Sequence, residues 1–549
     1  MIIEPNTIIY LCSVDFDDTY KHQRFFNTKS EQERFFLGDN NSMGTVAFKL
    51  TDHSYIRASR PDGSTVQSVK VQKDADTLRM YGVNYLIYKN NTTTKYYYCF
   101  VNKIAYVNDT TSELFFETDV YQTWLFDVEI KPSYVVREHS RTDEIGQNVI
   151  PEKFNLNQYY YKTIFNTSDI FLDKWGYLLI SANKLNADTG TRGRVMTGIY
   201  QGLYFYYYSG LDGSSVGLIN DTLNVLESEH GDCVVAITVI PEIIVSNVFD
   251  GYGMMGASPK PVELEVAVFT KSELEDLSSI YDFEIKNKKL YTYPFLCLEV
   301  TNHSGTDVEY PFEEFFDGTD VHFKLFGDVS TNPSLTLIPC NYKGLQYNYD
   351  AGISINNFPQ CAFNSDAYKI WLAKNQYTQQ INYAHGVFGM VAGAISLNPT
   401  QVVNSAFSIA NTFNADYQAQ KEPNRTHGGG AKTNLLTAMG YNKFDFYYKH
   451  IRPELAQTID DYFTMFGYAT NRVKIPNVDA RPCFNYVETI DINITGTSVL
   501  DGKIMFGIPN DDMKKLKSIY NSGITLWKHG TDSNGKNIVV GDYTLDNSI

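Results

Sequence analysis

The stretch formed by residues 375–415 constrains the fold of this chain more than any other feature, because it contains no Asp, Glu, Lys or Arg. Charged residues make up 20% of the 549 residues, so a stretch of this length is expected to carry about eight. Its first half, residues 386–397, interleaves small residues with Val, Phe and Met. Residues 398–400 break the pattern, and residues 401–413 follow as a second apolar helical segment.

Neither half of the uncharged stretch is long enough to cross a bilayer alone, which takes about 20 apolar residues. A helical hairpin buried in a core is one interpretation. Two features weigh against it, because glycine inside a helix costs about 1 kcal/mol relative to alanine and small residues fill a core poorly. Small residues do let helices approach closely in lipid or around a symmetry axis. We therefore hypothesise that the stretches of several subunits together line a membrane pore.

The rest of the sequence predicts a mainly β fold with some α-helix. The chain has 41 Tyr and 34 Phe, and aromatic residues suit the pleated, half-buried surface of a sheet. Apolar runs at residues 95–107 and 112–124 flank the turn formers Asn108 and Asp109, which predicts a hairpin. The second strand is expected to continue to Trp124 and to point Asp119 away from its apolar face.

Other elements follow from the same patterns. Further strands are predicted at 45–50, 233–245, 262–270, 479–494 and 524–527, with a second hairpin of 321–326 and 334–338 around Gly327 and Asp328. Helices are predicted at 221–229, 365–383, 453–467 and 511–520. The helix that starts at Pro453 is amphipathic. Acidic pairs such as Asp460 and Asp461 are expected to lie on solvated faces or at helix starts.

The charge of the chain argues against a protein that grips nucleic acid. The net charge is −17 and the isoelectric point is about 5.1, whereas such proteins carry an excess of Lys and Arg to displace counterions from phosphates. An acidic surface repels phosphate, which suits a conduit through which DNA passes without sticking. The alternative is that the acidity serves solubility alone.

The seven cysteines are scattered without a C-x-x-C pair, which argues against a disulfide framework or a zinc site. We predict that they are small buried apolar residues. The protein is then expected to be made in a reducing cytoplasm. Residues 1–16 have no basic segment and do not resemble a signal peptide. No cofactor or metal motif is present in the sequence, and the ten His are isolated.

Two short motifs resemble those of serine hydrolases. Residues 213–217 fit the G-x-S-x-G pattern of a nucleophile elbow, and residues 427–430 read His-Gly-Gly-Gly, as in some oxyanion loops. In that fold the oxyanion loop precedes the nucleophile, whereas here it follows. The chain also lacks the alternating βα pattern of a hydrolase. We therefore interpret the two motifs as a turn and a flexible hinge, and predict that the chain is not an enzyme.

Sequence blocks at both ends resemble one family. An N-terminal block at residues 14–25 resembles the signature of the tail knob, or distal tail tube, proteins of phi29-like short-tailed phages. So do Thr118–Phe126, read as TDVYQTWLF, and Val136–His139, read as VREH. C-terminal blocks match in the same order at residues 466–468, 471–477, 484–489 and 523–527. Residues 140–359 match weakly.

This resemblance implies a homohexameric ring of β-barrel-like tube domains with a wider knob. It implies an N-terminal tube domain at residues 1–140, an inserted α+β knob region at 141–345, a helix and long apolar loop at 346–440, and a C-terminal tube domain at 441–549. It also implies a virion protein at the tail tip, made in the host cytoplasm. Its partners would be other copies, the proximal tail tube and collar proteins, translocating genomic DNA bound without specificity, and the host cell membrane.

The resemblance also assigns a role to the uncharged stretch, which lies where the family has a long apolar loop. That loop plugs the tube before ejection and then perforates the host membrane to form a DNA channel. The residues that this implies for the plug and membrane loop are Gly386, Val387, Phe388, Met390, Val391, Gly393, Ile395, Leu397, Val402, Val403, Phe407, Ile409 and Phe413. The sequence pattern itself predicts the loop hinge at Pro399, where the helical pattern breaks, and at Gly428, Gly429 and Gly430.

Two alternatives to a tail knob stay open from the sequence. One is a receptor-binding or adhesion protein of the tail, with the middle third as the recognition region. The other is a tail enzyme that degrades cell wall or capsule. Electron microscopy distinguishes rings or short tubes from fibrous trimers, and zymography tests the enzyme.

Overall fold

The structure is a computed structural model that describes residues 6–38, 45–57, 66–93, 95–156, 158–166, 175–181, 204–209, 217–219, 221, 234–241, 262–269, 280–281, 283–303, 305–315, 321–328, 333–356, 358, 360–362, 443–496, 499–500, 503–504 and 508–549. It divides into two compact units. The first unit combines residues 1–155, 284–289 and 454–549, and the second combines residues 156–283 and 290–453.

The first unit holds strands from both ends of the chain. Its strands are β1 (Thr7–Cys12), β2 (His22–Arg24), β3 (Val46–His53), β4 (Val66–Val71), β5 (Tyr85–Lys89), β6 (Tyr97–Asn108), β7 (Thr111–Thr118), β8 (Val128–Ile130), β9 (Ser133–Glu138), β23 (Tyr468–Lys474), β24 (Phe484–Ile490), β25 (Ile494–Gly496), β26 (Val499–Leu500), β27 (Lys503–Ile504) and β28 (Ile524–Trp527). Its helices are α1 (Lys29–Leu37), α2 (Ala75–Met80), α3 (Val120–Trp124), α4 (Pro453–Phe466) and α5 (Asn510–Asn521).

Two sheets dominate the first unit. One is built from N-terminal strands alone, in the order β3-β1-β5-β6-β7-β4. The other, in the order β2-β28-β24-β9-β23, mixes N-terminal and C-terminal strands, and β2 pairs parallel with β28. The second sheet therefore requires strands that are separated by about five hundred residues of sequence.

Strand β5 shows how the six-stranded sheet carries packing on both faces. Tyr85 and Ile87 belong to one buried apolar cluster, whereas Leu86 and Tyr88 belong to another. Successive side chains of a strand point to opposite faces, so a strand that is buried on both faces reads as a continuous apolar run. The first of these clusters also takes in Leu526 of β28, which joins the two ends of the chain in one core.

The described residues of the second unit form three further sheets. Its strands are β10 (Tyr159–Asn166), β11 (Trp175–Ser181), β12 (Tyr204–Ser209), β13 (Val234–Pro241), β14 (Val262–Phe269), β15 (Leu296–Thr301), β16 (Asp307–Tyr310), β17 (Val321–Asp328), β18 (Ser334–Tyr342), β19 (Leu345–Tyr347), β20 (Ile353–Ile355), β21 (Gln360–Ala362) and β22 (Asp445–Ile451). They are ordered β10-β22-β15-β16, β12-β11-β13-β21 and β14-β17-β18-β19, with β20 also paired to β18. Short 3-10 helices occur at Lys288–Tyr291, Phe312–Glu314 and Tyr349–Ala351.

The predicted fold class, mainly β with some α, is confirmed by this architecture. Both predicted hairpins form, as β6 with β7 and β17 with β18. Helix α4 begins at Pro453, helix α5 covers the helix predicted at 511–520, and β28 covers the strand predicted at 524–527. Five cysteines predicted to be buried are buried in the part of the chain that the structure describes: Cys12, Cys99, Cys297, Cys340 and Cys483.

Two predicted details are wrong. The strand expected to reach Trp124 ends at Thr118, because Asp119 caps helix α3 over the next five residues. Apolar residues in a short run fit a buried helix as well as a strand, so periodicity alone does not separate them. Gly327 and Asp328 lie within strand β17, paired with Leu335 and Ser334, and not in the turn.

Candidate functional site

The residues predicted for the plug and hinge, from Gly386 to Gly430, lie outside the described residues, as do the helix expected at 365–383 and the His-Gly-Gly-Gly motif. Of residues 213–217, only Gly217 is described. These assignments stay predictions. The described residues bring together the other sequence blocks that carried the family resemblance, at two buried polar junctions in the first unit.

The first junction, here called the Arg24 junction, joins the N-terminal block to the C-terminal end of the chain. The guanidinium of Arg24 is buried, forms an ion pair with Asp15, and donates to the carbonyl oxygens of Lys528, at 2.5 Å, and Ile538, at 3.2 Å. Gln122 of the TDVYQTW block donates to the carbonyl oxygen of Arg24 at 2.7 Å. Blocks far apart in sequence thus satisfy one another's buried hydrogen-bonding groups.

Asp119 organises the same junction from inside the core. It is fully buried, whereas the strand pattern predicted that it points away from the apolar face. Its carboxylate accepts from the backbone N–H groups of Tyr121, at 3.0 Å, and Gln122, at 3.1 Å, and from the hydroxyl of Tyr85 at 2.7 Å. Burial raises the pKa of Asp119 to about 7, although these hydrogen bonds favour the ionised form.

The second junction, here called the His139 junction, joins the VREH block to the C-terminal blocks. The carboxylate of Glu138 is buried and forms an ion pair with Lys474. It also accepts from the backbone N–H of Asn477 at 2.7 Å and from the side-chain amide of Asn477 at 3.1 Å. These contacts of Glu138 with Lys474 and Asn477 therefore hold the end of β23 and the loop after it against the end of β9.

His139 itself bridges two elements through both ring nitrogens. Its Nδ1 accepts from the backbone N–H of Tyr486 at 2.7 Å, so Nε2 carries the proton and donates to the carbonyl oxygen of Thr464 at 3.0 Å. Burial lowers the pKa of His139 to about 3, with smaller contributions from the charges of Arg481 and Arg137 in the same direction. A second proton on the ring would remove the acceptor of the Tyr486 N–H.

Gly467 lets the His139 junction close. Its φ is +64°, and a Cβ built there would lie 2.2 Å from the carbonyl oxygen of Glu138. Only glycine tolerates both this backbone conformation and this approach. The carbonyl oxygen of Gly467 accepts from Arg137 at 2.6 Å, and the Arg137 guanidinium lies 4.8 Å from the ring centroid of Tyr462.

Helix α4 holds the segment of residues 284–289 to the first unit. Asp460 accepts from the backbone N–H groups of Lys286, at 3.1 Å, and Asn287, at 3.0 Å, while Asn287 donates to the hydroxyl of Thr464 at 2.8 Å. The prediction that Asp460 lies on a solvated face is wrong, because only 2% of it is exposed. Burial raises the pKa of Asp460 above its ordinary value, opposed by these hydrogen bonds.

An exposed apolar row crosses the sheet that contains β9. Ile490 of β24 and Val473 of β23 both pair in register with Tyr134 of β9, so the three side chains are cross-strand neighbours. They are 59%, 67% and 38% exposed, respectively. Strand β23 is an edge strand of this sheet. Ile475, the residue after the end of β23, is 58% exposed. Large contiguous apolar patches on a folded surface are typical of contacts with another protein or with lipid, which makes this row a candidate contact surface.

The part of the chain that the structure describes contains no group of three His, Cys, Asp or Glu placed to hold a metal ion. Within that same part, no helix has both the length and the apolar character needed to span a bilayer.

Comparison with known sequences decides the family. A family model described as the C-terminal domain of the tail knob protein gp9 of Bacillus phage phi29 matches residues 265–548, which is more than half of the chain. The chain belongs to the phage tail knob protein family. A second model, the N-terminus of caudoviral major tail proteins, matches residues 5–129. The family resemblance of the sequence blocks is therefore confirmed.

Tail knob proteins of other phages match along the whole chain. The tail knob protein gp9 of Bacillus phage B103 is 26% identical, over 98% of this chain and 97% of that protein. The tail knob protein gp9 of Bacillus phage phi29 is 23% identical over 98% of each chain. The structure of the tail knob protein gp12 of bacteriophage C1 superposes with a TM-score of 0.59 at 17% identity, covering 95% of this chain and 96% of that one. The chain is thus a structural protein of a phage tail knob, with a tail knob fold.

Proposed function

We propose that six copies of this chain close into a ring whose uncharged stretches plug the lumen before DNA ejection and then perforate the host membrane. The observation that carries the proposal is the absence of charge from residues 375–415 in a chain that matches tail knob proteins end to end. Apolar segments collected inside a ring are kept from water. Once released, the same segments partition into lipid without covalent chemistry.

Ring formation is supported by the exposed apolar row of Tyr134, Val473 and Ile490 beside the edge strand β23. Burying such side chains contributes about 25 cal/mol for each Å² of apolar surface removed from water. We propose a second copy of this chain as the occupant of this row, because every copy in a closed ring buries an equivalent surface.

The tube is proposed to form from both ends of the chain, with tube domains at 1–140 and 441–549, a knob region at 141–345 and the loop at 346–440. Support comes from the first unit, in which residues 1–155 share sheets and core with residues 454–549. The net charge of −17 supports the further proposal that DNA passes through the tube without specific binding.

The roles in the virion follow from this proposal. The ring contacts the proximal tail tube and collar proteins on one side and the host membrane on the other, after synthesis in the host cytoplasm. Its function is mechanical and not enzymatic. Zymography on host cell wall tests the last point, because a cleared zone would show a hydrolytic activity that this proposal does not contain.

Negative-stain electron microscopy and native mass spectrometry of the purified full-length chain test the ring. We expect rings or short tubes with the mass of six copies. Monomers at micromolar concentration, or fibrous trimers typical of an adhesin, would contradict the proposal.

Dye leakage from anionic liposomes tests membrane perforation by the full chain at neutral and acid pH. A charge in the uncharged stretch, introduced as Val391→Asp or Ile409→Asp, is expected to abolish leakage, because a carboxylate at the centre of a bilayer costs several kcal/mol. Met80→Asp, at a position 76% exposed in the first unit, is the matched control and is expected to leave leakage unchanged. Equal leakage from all variants would contradict the role of the stretch.

A further inference from the structure

Two neighbouring cavities with charged residues in their lining lie within the first unit. One, of about 440 Å³, is lined by residues of the 284–287 segment, by His139 and Thr464, and by the C-terminal residues 544–548. The other, of about 300 Å³, is lined by residues 142–144 and Lys288. Arg481, Lys286 and Ser548 line both cavities.

Arg481 differs from the other buried residues that line these cavities because its side chain has a donor without an acceptor. Only 5% of the residue is exposed, and among the described residues no acceptor lies within hydrogen-bond distance of its Nε. Its Nη2 lies 3.8 Å from Asp143 Oδ2, which is too long for a hydrogen bond. The Asp143 carboxylate already accepts from the hydroxyl of Tyr468, at 2.8 Å, and from the backbone N–H of Lys288, at 3.1 Å. A buried guanidinium with an unsatisfied donor costs free energy until an acceptor is supplied.

The other buried polar side chains of the larger cavity are satisfied by the protein. His139 uses both ring nitrogens, and the side-chain amide of Asn287 donates to Asp460 and to Thr464. Arg481 pairs with Asp143 by charge alone and lines both cavities, so a molecule that carries an oxygen acceptor and binds there would satisfy its Nε. Lys286, exposed at its edge, provides a second cation.

The charged residues around the cavities restrict the size and charge of a ligand that can bind there. Asp546 and Glu284 also line the larger cavity, and Asp546 accepts from the hydroxyl of Ser548 at 2.6 Å. With Asp143 and Glu144 of the smaller cavity, four carboxylates surround the site and repel a polyanion such as DNA, whereas a small anion needs only the guanidinium and Lys286. The planar fork of a guanidinium matches the oxygen atoms of a carboxylate or a phosphate, and bidentate pairing makes such bonds strong.

We propose that these cavities form a binding site for a small oxyanion, a phosphate or a carboxylate, with Arg481 as the main ligand and Lys286 as the second. The oxyanion comes either from solution, as inorganic phosphate, or from an acidic side chain of another tail protein. The shared chemistry is a compact group of negatively charged oxygen atoms.

Isothermal titration of the full-length chain with phosphate, and separately with acetate, tests the site at constant ionic strength in chloride. We expect saturable binding with one anion per chain. Arg481→Gln should weaken it at least tenfold and Lys286→Gln by a smaller factor. Arg79→Gln removes an exposed arginine that pairs with Asp76, and serves as the control with unchanged binding.

The outcomes separate the two sources and decide the proposal. Phosphate bound without acetate supports an anion from solution, and acetate bound as well supports an acidic side chain; either supports the oxyanion site. If neither anion gives a saturable heat with the unmodified chain, a cavity filled by water alone replaces the proposal. Equal binding by Arg481→Gln would also overturn it. Should Arg481→Gln fail to fold by circular dichroism, Arg481→Lys keeps the charge, loses the fork, and is expected to weaken binding as well.

Discussion

At the scale of single residues, His139 couples the stability of the first unit to pH. Its pKa is lowered from the ordinary 6.5 to about 3 in the folded chain. Between these values the unfolded chain binds the proton and the folded chain does not, so acid favours unfolding in this window. We predict that this contribution lowers the free energy of unfolding by at most about 1.4 kcal/mol for each pH unit below 6.5.

Urea unfolding of the wild-type chain and of His139→Gln between pH 4 and pH 7 measures this effect. The variant loses hydrogen bonds and is expected to be less stable at pH 7, but it has no ring to protonate. The stability difference between the two proteins should therefore shrink as the pH falls. A difference that stays constant across this range would contradict the role of His139.

We predict that replacing Gly467 destabilises the first unit because a side chain there would clash with Glu138, and that a control glycine can separate this clash from the effect of its φ. Gly467→Ala places a Cβ 2.2 Å from the carbonyl oxygen of Glu138, so the His139 junction must open. Gly82→Ala is the matched control, because its φ is also +64° but its Cβ would meet only the hydroxyl of Ser13 at 3.4 Å.

Both glycine variants incur the cost of a left-handed backbone, about 1 kcal/mol. We expect Gly467→Ala to lower the free energy of unfolding by at least about 2 kcal/mol more than Gly82→Ala, because of backbone displacement. Chemical denaturation measures both. Similar losses in the two variants would mean that Gly467 is required for its φ alone.

At the scale of elements, one face of helix α4 binds the 284–289 segment through hydrogen bonds. Asp460 and Asp461 are adjacent on this helix, yet Asp460 is buried against the segment and Asp461 is exposed. Asp460→Ala leaves the backbone N–H groups of Lys286 and Asn287 without their acceptor. The N–H of Asn287 is buried, and a buried donor without an acceptor costs about 1–3 kcal/mol.

Hydrogen–deuterium exchange tests this support directly. We expect the amides of residues 286 and 287 to exchange at least tenfold faster in Asp460→Ala, and no change in Asp461→Ala. Because the two substitutions remove the same group one position apart, helix propensity and net charge are matched. Unchanged protection of the segment in Asp460→Ala would show that other contacts hold it.

The elements also show how far sequence patterns reach. The hairpin of β6 and β7 and helix α4 were predictable, because alternation, turn formers and an N-terminal proline are local signals. The capped turn of α3 was not, because its apolar residues fit a strand equally well. The burial of Asp460 depends on residues more than 170 positions away, so no local pattern reports it.

At the scale of the whole molecule, the exposed apolar row is predicted to join copies of the chain. Tyr134→Lys combined with Val473→Lys places two like charges on neighbouring strands of this row. We expect native mass spectrometry to show loss of the six-copy species, since both side chains would have to be desolvated in the contact.

Met80→Lys is the control for an added surface charge and should keep the ring. Exposed substitutions of this kind usually change stability by no more than about 0.5 kcal/mol, so the melting temperature of each variant should stay close to that of the wild type. Intact rings in the double variant would place the subunit contact elsewhere.

The sequence by itself determined the mainly β class, the local hairpins and helices, and the family, because these depend on neighbouring residues and on blocks preserved in order. The sequence blocks that carried the family resemblance also contain Arg24, Asp119 and His139, which are central residues of the two junctions. Only the tertiary structure decided that these blocks meet. Strand β2 pairs with β28, and His139 receives the N–H of Tyr486, across hundreds of residues. Such contacts form when buried polar groups find partners in the packed core, and that pairing depends on where the whole chain places them.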